Sequence, residues 1–187
     1  YQEAYDMFAV SGILFNHESP IRGLEFVTRK ITNAAVQIKL GLKKDISVGN
    51  LTSKRDWGYA PEYMEAIYLM MQEDKPKNYV ISTNETHSVE EMAKIAFEVV
   101  NLDWKKHVKI DKKFFRPLDV NYLKGDNSKA KKDLGWKPKT KFRDLIKLMV
   151  NEDLKRWQMI LDGKVFPWDA PLYPNEMTIL QQFYQKK

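Results

Sequence analysis

The chain alternates between short apolar runs, which are typical of strands, and longer apolar stripes, which are typical of helices. An apolar run at residues 8–15 predicts a strand covered on both faces, as in a parallel sheet, and Asn16-His17-Glu18-Ser19-Pro20 predicts the turn that ends it. Further short strands are predicted at Ile46-Ser47-Val48, before Gly49-Asn50, and at Tyr79-Val80-Ile81.

Four stretches have helical periodicity. Residues 23–40 place apolar side chains every three or four positions, and Gly41 follows where a helix should end. Ser88-Val89-Glu90-Glu91 is a capping box that predicts a helix through about Val100, and residues 142–161 predict a long final helix. A further apolar stripe consists of Tyr63, Ala66, Ile67, Met70 and Met71.

Strands that alternate with helices favour an α/β fold. The predicted strands are few and short for a self-sufficient parallel sheet. The chain also opens with Tyr1-Gln2-Glu3-Ala4-Tyr5, which is typical of a helix interior, with neither Met nor a charged-then-apolar leader. We therefore expect a fragment of a longer protein whose sheet has partners upstream. The tail from Phe166 contains Pro167, Pro171 and Pro174 and is expected to be irregular.

Composition narrows the class of protein. The 187 residues are 43% hydrophobic and 12% aromatic, which excludes disorder for most of the chain. A mean hydropathy of −0.54 and no run of 18 apolar residues predict a soluble protein without a transmembrane helix. The absence of cysteine excludes disulfides, a thiolate nucleophile and a Cys-zinc site, and it suits a reducing cytosol.

The net charge of +6 is unevenly distributed. Residues 101–147 carry 15 Lys and Arg against 6 Asp and Glu, whereas the rest of the chain is slightly acidic. This basic block could bind nucleic acid, a membrane surface or a small phosphorylated ligand, or it could be an ordinary solvated surface. No RNP pattern, Cys/His finger or Gly-X-X-Gly clamp accompanies it, so a nucleic-acid binder is the lesser alternative.

Polar groups that follow predicted strands are candidates for ligand contact, because open α/β sheets bind ligands beyond the carboxyl ends of their strands. Asn16-His17-Glu18 and Gly49-Asn50 occupy such places. Arg55, near Trp57, and Arg116, between Phe115 and Pro117, could each form a rigid fork for a pyrophosphate, although either could equally be a surface residue. The sequence contains no Gly-X-Gly-X-X-Gly, Walker, Gly-X-Ser-X-Gly or metal-ligand pattern.

Several motifs in one collinear order resemble the C-terminal half of the GDP-mannose 4,6-dehydratase family, within the extended short-chain dehydrogenases. They are Asn-His-Glu-Ser-Pro at 16–20, Phe-Val-Thr-Arg-Lys-Ile-Thr at 26–32, Gly-Asn-Leu at 49–51, Arg-Asp-Trp-Gly at 55–58 and Phe-Arg-Pro-Leu-Asp-Val at 115–120. Gly125-Asp126, Lys129-Ala130-Lys131 and Leu134-Gly135-Trp136-Lys137-Pro138-Lys139-Thr140 continue the match, which extends to about Leu154.

The resemblance implies the C-terminal part of a Rossmann-type NAD(P)-binding fold plus a smaller sugar-nucleotide-binding domain. Residues 1–161 would form this substrate-binding half with late Rossmann elements interleaved, and 162–187 an irregular tail. Enzymes of this family use NADP to oxidise C4 of GDP-mannose, eliminate water across C5 and C6 and return the hydride to C6. The product is GDP-4-dehydro-6-deoxy-D-mannose. The resemblance also implies a cytoplasmic homo-oligomer, dimer or tetramer, without membrane or nucleic-acid partners.

The resemblance assigns roles to individual residues. His17 and Arg22 correspond to positions that touch NADP, and Arg22 lies on a loop used in tetramer packing. Arg55 and Arg116 would clamp the pyrophosphate. The remaining expected substrate contacts are Asn16 at the sugar or its phosphate, Val27 and Lys30 beside the guanosine diphosphate, Gly49 and Asn50 along the nucleotide, and Asp119 at a ribose hydroxyl.

The chain departs from the family pattern at two of these places. Ile21 stands where the family has Arg, which should weaken the NADP-linked tetramer contact, and Asp119 stands where it has Glu, which shortens the reach to the ribose by one methylene. The tail after about Leu161 does not match the family.

The family's glycine-rich loop, its catalytic Thr and Glu and its Tyr-X-X-X-Lys pair belong upstream of Tyr1, so no catalytic residue is expected in this chain. Three hypotheses remain: the substrate-binding half of a dehydratase, a non-catalytic nucleotide-sugar or partner-binding module, and a basic nucleic-acid binder.

Overall fold

The computed structural model describes residues 1–115, Leu118 and residues 120–164. The chain divides into two compact units, each assembled from three separate stretches. Unit 1 consists of Tyr1–Ser19, Thr52–Ser88 and Val120–Leu145, and unit 2 of Pro20–Leu51, Val89–Asp119 and Ile146–Lys187. Of the expected irregular tail at 162–187, residues 165–187 lie outside the described residues.

Helices and short strands alternate along the described chain. The helices are α1 (Gln2–Tyr5), α2 (Val27–Lys39), α3 (Ala60–Met70), α4 (Val89–Val99), α5 (Ser128–Leu134) and α6 (Phe142–Leu161). The strands are β1 (Gly12–Leu14), β2 (Asn16–Glu18), β3 (Ile46–Val48), β4 (Lys54–Arg55), β5 (Trp57–Tyr59), β6 (Tyr79–Ile81), β7 (His87–Ser88) and β8 (Val108–Ile110).

In unit 1 the strands pair two by two. β1 runs parallel to β6, with Gly12 opposite Tyr79, and β2 runs parallel to β5, with Asn16 opposite Trp57. β4 and β7 form an antiparallel pair. Parallel pairing needs a crossover, and here the crossovers include helix α3, so the α/β class predicted from the sequence is confirmed.

Helix α3 buries the apolar stripe that the sequence predicted. Tyr63, Ala66 and Met70 are buried together with Tyr79 and Ile81 of β6. Trp136 completes this core: its ring meets Tyr63 edge-on, and its indole N–H donates to the carbonyl of Glu62 at 2.8 Å. Two members of the stripe deviate: Ile67 is only partly buried, and Met71 lies just past the helix and is half exposed.

Two expectations for residues 8–20 are wrong. The predicted strand has only three residues, Gly12–Leu14, and Ile13 is 57% exposed, so one face of β1 is open. The polar segment Asn16–Glu18 is strand β2 rather than a turn. Its pairing with β5, about forty residues later in the chain, supplies the extended conformation that the local sequence does not indicate.

Unit 2 is built on α2 and α4, which pack against each other, and on β3 and β8, which pair in parallel. Helix α2 ends as predicted: Gly41 adopts a φ of +72°, a conformation that glycine tolerates better than other residues. Helices α4 and α6 lie where the capping box and the final periodic stretch predicted them.

No helix in the described residues is both long and apolar enough to cross a bilayer.

A buried carboxylate holds the loops of unit 1. Asp56 is fully buried, and one of its oxygens accepts hydrogen bonds from the backbone N–H and the hydroxyl of Thr83, at 2.8 and 2.6 Å. The other oxygen accepts from the backbone N–H groups of Asn84 and Gly125, at 3.1 and 3.2 Å. Four donors thus compensate the burial of this charge.

We predict that Asp56→Asn lowers the free energy of unfolding by about 3 kcal/mol. An amide has only one oxygen, so its NH₂ group would face groups that now donate to the second carboxylate oxygen. Urea unfolding followed by circular dichroism measures this. The control is Asp74→Asn, the same change at an exposed site, which should stay within about 0.5 kcal/mol of the wild type. Equal effects of the two substitutions would contradict the role given to Asp56.

Candidate functional site

The described site residues predicted from the sequence share one property: each is half buried, as expected of a side chain that is both fixed and accessible. They are distributed over both units. Asn16, His17 and Arg55 belong to unit 1, and Arg22, Val27, Lys30, Gly49 and Asn50 belong to unit 2. Arg116 and Asp119 lie outside the described residues, so the pyrophosphate clamp and the ribose contact stay predictions.

Within unit 2, Phe114 brings Lys30 and Gly49 to one place. The Lys30 ammonium lies over the Phe114 ring, 3.7 Å from its centroid, which is a cation–π contact. Gly49 follows β3 and faces the backbone of Phe114, so a Cβ at position 49 would collide with the Phe114 carbonyl oxygen. Sequence reasoning missed Phe114, although it is an aromatic residue beside the Phe-Arg-Pro motif.

The charge of Lys30 is only partly solvated. Burial lowers the pKa of Lys30, and the positive charge of Lys43 lowers it further, while Asp111 opposes both. A partly dehydrated ammonium group beside a second lysine gains from a bound anion. The three residues Lys30, Gly49 and Phe114 therefore combine a cation, a close backbone approach and a half-exposed ring, which suits a nucleoside diphosphate.

Arg22 precedes α2 and is oriented by an aromatic neighbour. Its guanidinium carbon lies 3.5 Å from the centroid of the Phe26 ring, at the start of the helix. A guanidinium stacked on a ring keeps its planar fork of donors in one orientation, which suits a phosphate group.

His17, on β2, is fixed by its backbone and by a neighbouring ring. Its Nδ1 lies 2.9 Å from the carbonyl oxygen of Phe15, and because a carbonyl only accepts, Nδ1 carries the proton. The imidazole stacks on Tyr63 with ring centroids 5.2 Å apart. Burial, Asp56, Glu62 and Glu18 raise the pKa of Tyr63, which keeps its hydroxyl neutral. The Nδ1 contact with Phe15 leaves Nε2 as the ring nitrogen that can contact a ligand.

The side chain of Arg55 is restrained by other contacts than those expected from the sequence. Its Nη1 donates to the carbonyl of Lys54 at 2.8 Å and to the carbonyl of Val120. Trp57, which was expected to stiffen it, is buried and stacks instead on Phe142 with centroids 5.7 Å apart. Backbone carbonyls, rather than the tryptophan, supply the restraint.

The basic block is partly neutralised. Three of its lysines pair with carboxylates from outside the block: Lys109 with Asp45, Lys139 with Glu65 at 3.1 Å, and Lys141 with Glu85 at 2.9 Å. The block is also divided between the two units. Both facts weaken its interpretation as one continuous surface for a nucleic-acid backbone.

Two further features of the described residues concern metal ligands and internal space. Within residues 1–115 and 120–164, no group of three or more His, Asp or Glu side chains could hold a metal ion. A hollow in unit 1 between Trp57, Glu85 and Thr140 measures about 10 Å³, which is room for one water molecule.

Comparison with known proteins identifies the family. Residues 1–149 match the family model described as GDP-mannose 4,6 dehydratase. The chain belongs to this family. It is 54% identical over 166 residues to GDP-mannose 4,6 dehydratase 1 of Arabidopsis thaliana, a match that covers 87% of this chain and 46% of the relative. It is 45% identical over 172 residues to GDP-mannose 4,6 dehydratase of Homo sapiens, which covers 83% of this chain and 46% of the relative.

The resemblance noted in the sequence is thus confirmed. The chain spans about half the length of the curated relatives it matches. Its fold is similar to the structure of RMD from Pseudomonas aeruginosa complexed with NADPH, with a TM-score of 0.73, 14% identity and coverage of 83% of this chain and 51% of that one. The Rossmann-type α/β fold expected for members of the GDP-mannose 4,6-dehydratase family is therefore present.

We predict that Gly49→Ala lowers the free energy of unfolding by about 1–3 kcal/mol, because the new methyl group collides with the Phe114 backbone rather than with a flexible side chain. Thermal and urea denaturation measure the loss. Gly12→Ala is the matched control, since a Cβ there would meet only side-chain atoms, the nearest being the terminal methyl of Met70 at 3.4 Å. If Gly49→Ala were as stable as Gly12→Ala, the close approach of Phe114 to Gly49 would be wrong.

Proposed function

We propose that this chain is the part of a GDP-mannose 4,6-dehydratase that binds the sugar nucleotide. The complete enzyme would convert GDP-mannose to GDP-4-dehydro-6-deoxy-D-mannose and water with NADP. The observation that carries the proposal, beside family membership, is the arrangement of Lys30 and Gly49 about Phe114 in unit 2. Lys30 would neutralise the diphosphate, while Gly49 and Asn50 line the nucleotide and Val27 borders it.

The cofactor would be held in part by His17 and Arg22. The side chains fit a dinucleotide: Arg22 offers a stacked guanidinium for a phosphate, and His17 offers its second ring nitrogen, Nε2, for a hydrogen bond with a hydroxyl group. When bound, NADP supplies the hydride chemistry of the family. The role of this chain's residues is to bind and orient the cofactor and the substrate. Asn16, Arg55, Arg116 and Asp119 complete the proposed contacts, with the sugar, the pyrophosphate and the ribose.

The complete protein is further proposed to be a cytoplasmic homo-oligomer without nucleic-acid or membrane partners. Family resemblance supports this. The loop that carries Arg22 is an expected oligomer contact, and Ile21 beside it replaces a family arginine.

A second candidate is a non-catalytic binding module. It is favoured by one observation: the 187 residues contain neither a Tyr-X-X-X-Lys pair nor a glycine-rich dinucleotide loop. Both candidates predict that this chain binds a GDP-sugar. They differ in whether catalysis appears when the chain is supplied with a partner that carries the Tyr-Lys pair.

We predict that the chain binds GDP-mannose and GDP but does not turn the sugar nucleotide over. Isothermal titration calorimetry measures binding, and incubation with GDP-mannose and NADP followed by chromatography detects the 4-keto product. A short DNA duplex, titrated at two salt concentrations, is the control for the basic block. Tight duplex binding without a GDP-mannose signal would overturn the proposal in favour of nucleic-acid binding, and measurable turnover would refute the prediction of a silent chain.

We predict that Lys30→Met weakens binding of GDP-mannose about ten-fold or more, since a charge-assisted bond is worth roughly 1.5–3 kcal/mol. The wild type should also lose affinity as the pH rises toward the ordinary lysine pKa. The sign follows from the lowered pKa of Lys30: the ammonium form binds the diphosphate, and it is lost at a lower pH than usual.

Two variants control this prediction. Lys30→Arg should remove the alkaline loss of affinity, because a guanidinium stays charged. Lys94→Met makes the same change at an exposed position of α4 and should leave binding unaltered. An alkaline profile that is the same for the wild type and Lys30→Arg would show that Lys30 is not the titrating group.

A further inference from the structure

A buried arginine in unit 2 joins helix α6 to the segment that carries Arg22. Arg29, on α2, is 5% exposed, and its Nη2 donates to an oxygen of Asp153 at 2.7 Å. Asp153, on α6, is 1% exposed and also accepts from the hydroxyl of Thr32 at 2.7 Å and from Arg156 at 3.3 Å. The carboxylate thus fixes one side of the Arg29 guanidinium.

The other side of the same guanidinium holds backbone outside the helix. Arg29 Nη1 donates to the carbonyl of Arg22 at 2.9 Å and to the carbonyl of Pro20. Two carbonyls on either side of Ile21 are therefore tied to a buried, charged group. The side chain of Arg22 is restrained separately, by stacking on Phe26.

We propose that Arg29 is a positioning residue: it fixes the backbone on both sides of position 21, so that the Arg22 guanidinium is oriented in advance for a phosphate of NADP. This inference rests on the proposed function, in which Arg22 contacts the cofactor. A preset orientation raises affinity because less conformational freedom is lost on binding.

Helix packing does not by itself account for these contacts. Asp153 has Thr32 and Arg156 as further partners, and a buried ion pair contributes little net stability compared with apolar residues of similar size. An arginine that served only to join α2 and α6 would not need bonds to Pro20 and Arg22. Both sets of bonds require the planar guanidinium, whose parallel donors an ammonium group lacks.

The test compares Arg29→Lys with Arg156→Lys in the 187-residue chain. Both variants keep the charge and alter the same buried cluster, but the bonds to the carbonyls of Pro20 and Arg22 come from Arg29, whereas Arg156 donates to Asp153. Hydrogen exchange of the backbone amides of 21–24 is measured against those in the middle of α2. Titrations of NADP⁺ and GDP-mannose follow on the same samples. Should Arg29→Lys fail to fold, Arg29→Gln takes its place.

We expect Arg29→Lys to speed exchange at 21–24 at least ten-fold, without changing exchange in α2, and to weaken NADP⁺ binding about ten-fold while GDP-mannose affinity stays within about two-fold. Arg156→Lys should change none of these. Unchanged exchange at 21–24, equal effects of the two variants, or parallel losses of both ligands would overturn the positioning role. If the wild type binds GDP-mannose but not NADP⁺, the cofactor part of the inference is wrong, while the exchange data still decide whether Arg29 holds the segment.

Discussion

The fold of unit 1 depends on the need to compensate a buried carboxylate. Its strands have two or three residues each, so ladder hydrogen bonds alone cannot fix the loops between them. Asp56 brings the neighbouring residues Thr83 and Asn84 together with Gly125, which lies 69 positions after Asp56, around one charge. Because an ionised carboxylate without donors is costly in an apolar interior, these segments are held where they satisfy it.

Two further buried carboxylates also hold separate segments of the chain together. Glu62, on α3, accepts from the backbone N–H groups of Lys139 and Thr140, each at 3.0 Å, and so anchors the segment that leads into α6. In unit 2 the buried carboxylate is Asp153, which binds Arg29. The same arginine also donates to the carbonyl of Arg22, in a proposed ligand-binding segment. Burial raises the pKa of Asp153, whereas the two arginines and Thr32 oppose that change and stabilise its charge.

The sequence predicts the elements whose signal is local. Helices α2 and α6 are long and periodic, and Gly41 marks an end that glycine accommodates best, so their limits are nearly right. Strands β4, β5, β7 and β8 were not predicted, since two or three residues carry no periodicity and their pairing is with residues distant in the chain. Strand β2 was mistaken for a turn for the same reason.

The residues of the candidate site likewise differ in whether the sequence alone could indicate them. Lys30, Gly49 and Asn50 could be named because family motifs contain them. Phe114 could not, because its role depends on which atoms the fold brings against Lys30 and Gly49. Likewise the restraint on Arg55 comes from the carbonyl of Val120, 65 residues away, and not from its neighbour Trp57.

The backbone around position 21 does not depend on which side chain occupies that position. The sequence resemblance led us to expect an arginine there, and the side chain of Ile21 is 68% exposed, so packing does not require an apolar residue. The carbonyls of the residues before and after it are both held by Arg29. Since Pro20 and Arg22 contribute only backbone carbonyls to these bonds, either an arginine or an isoleucine can occupy position 21 with the same local backbone. The substitution therefore removes a charge from a surface expected to meet cofactor or partner subunit, and it leaves Arg22 in place.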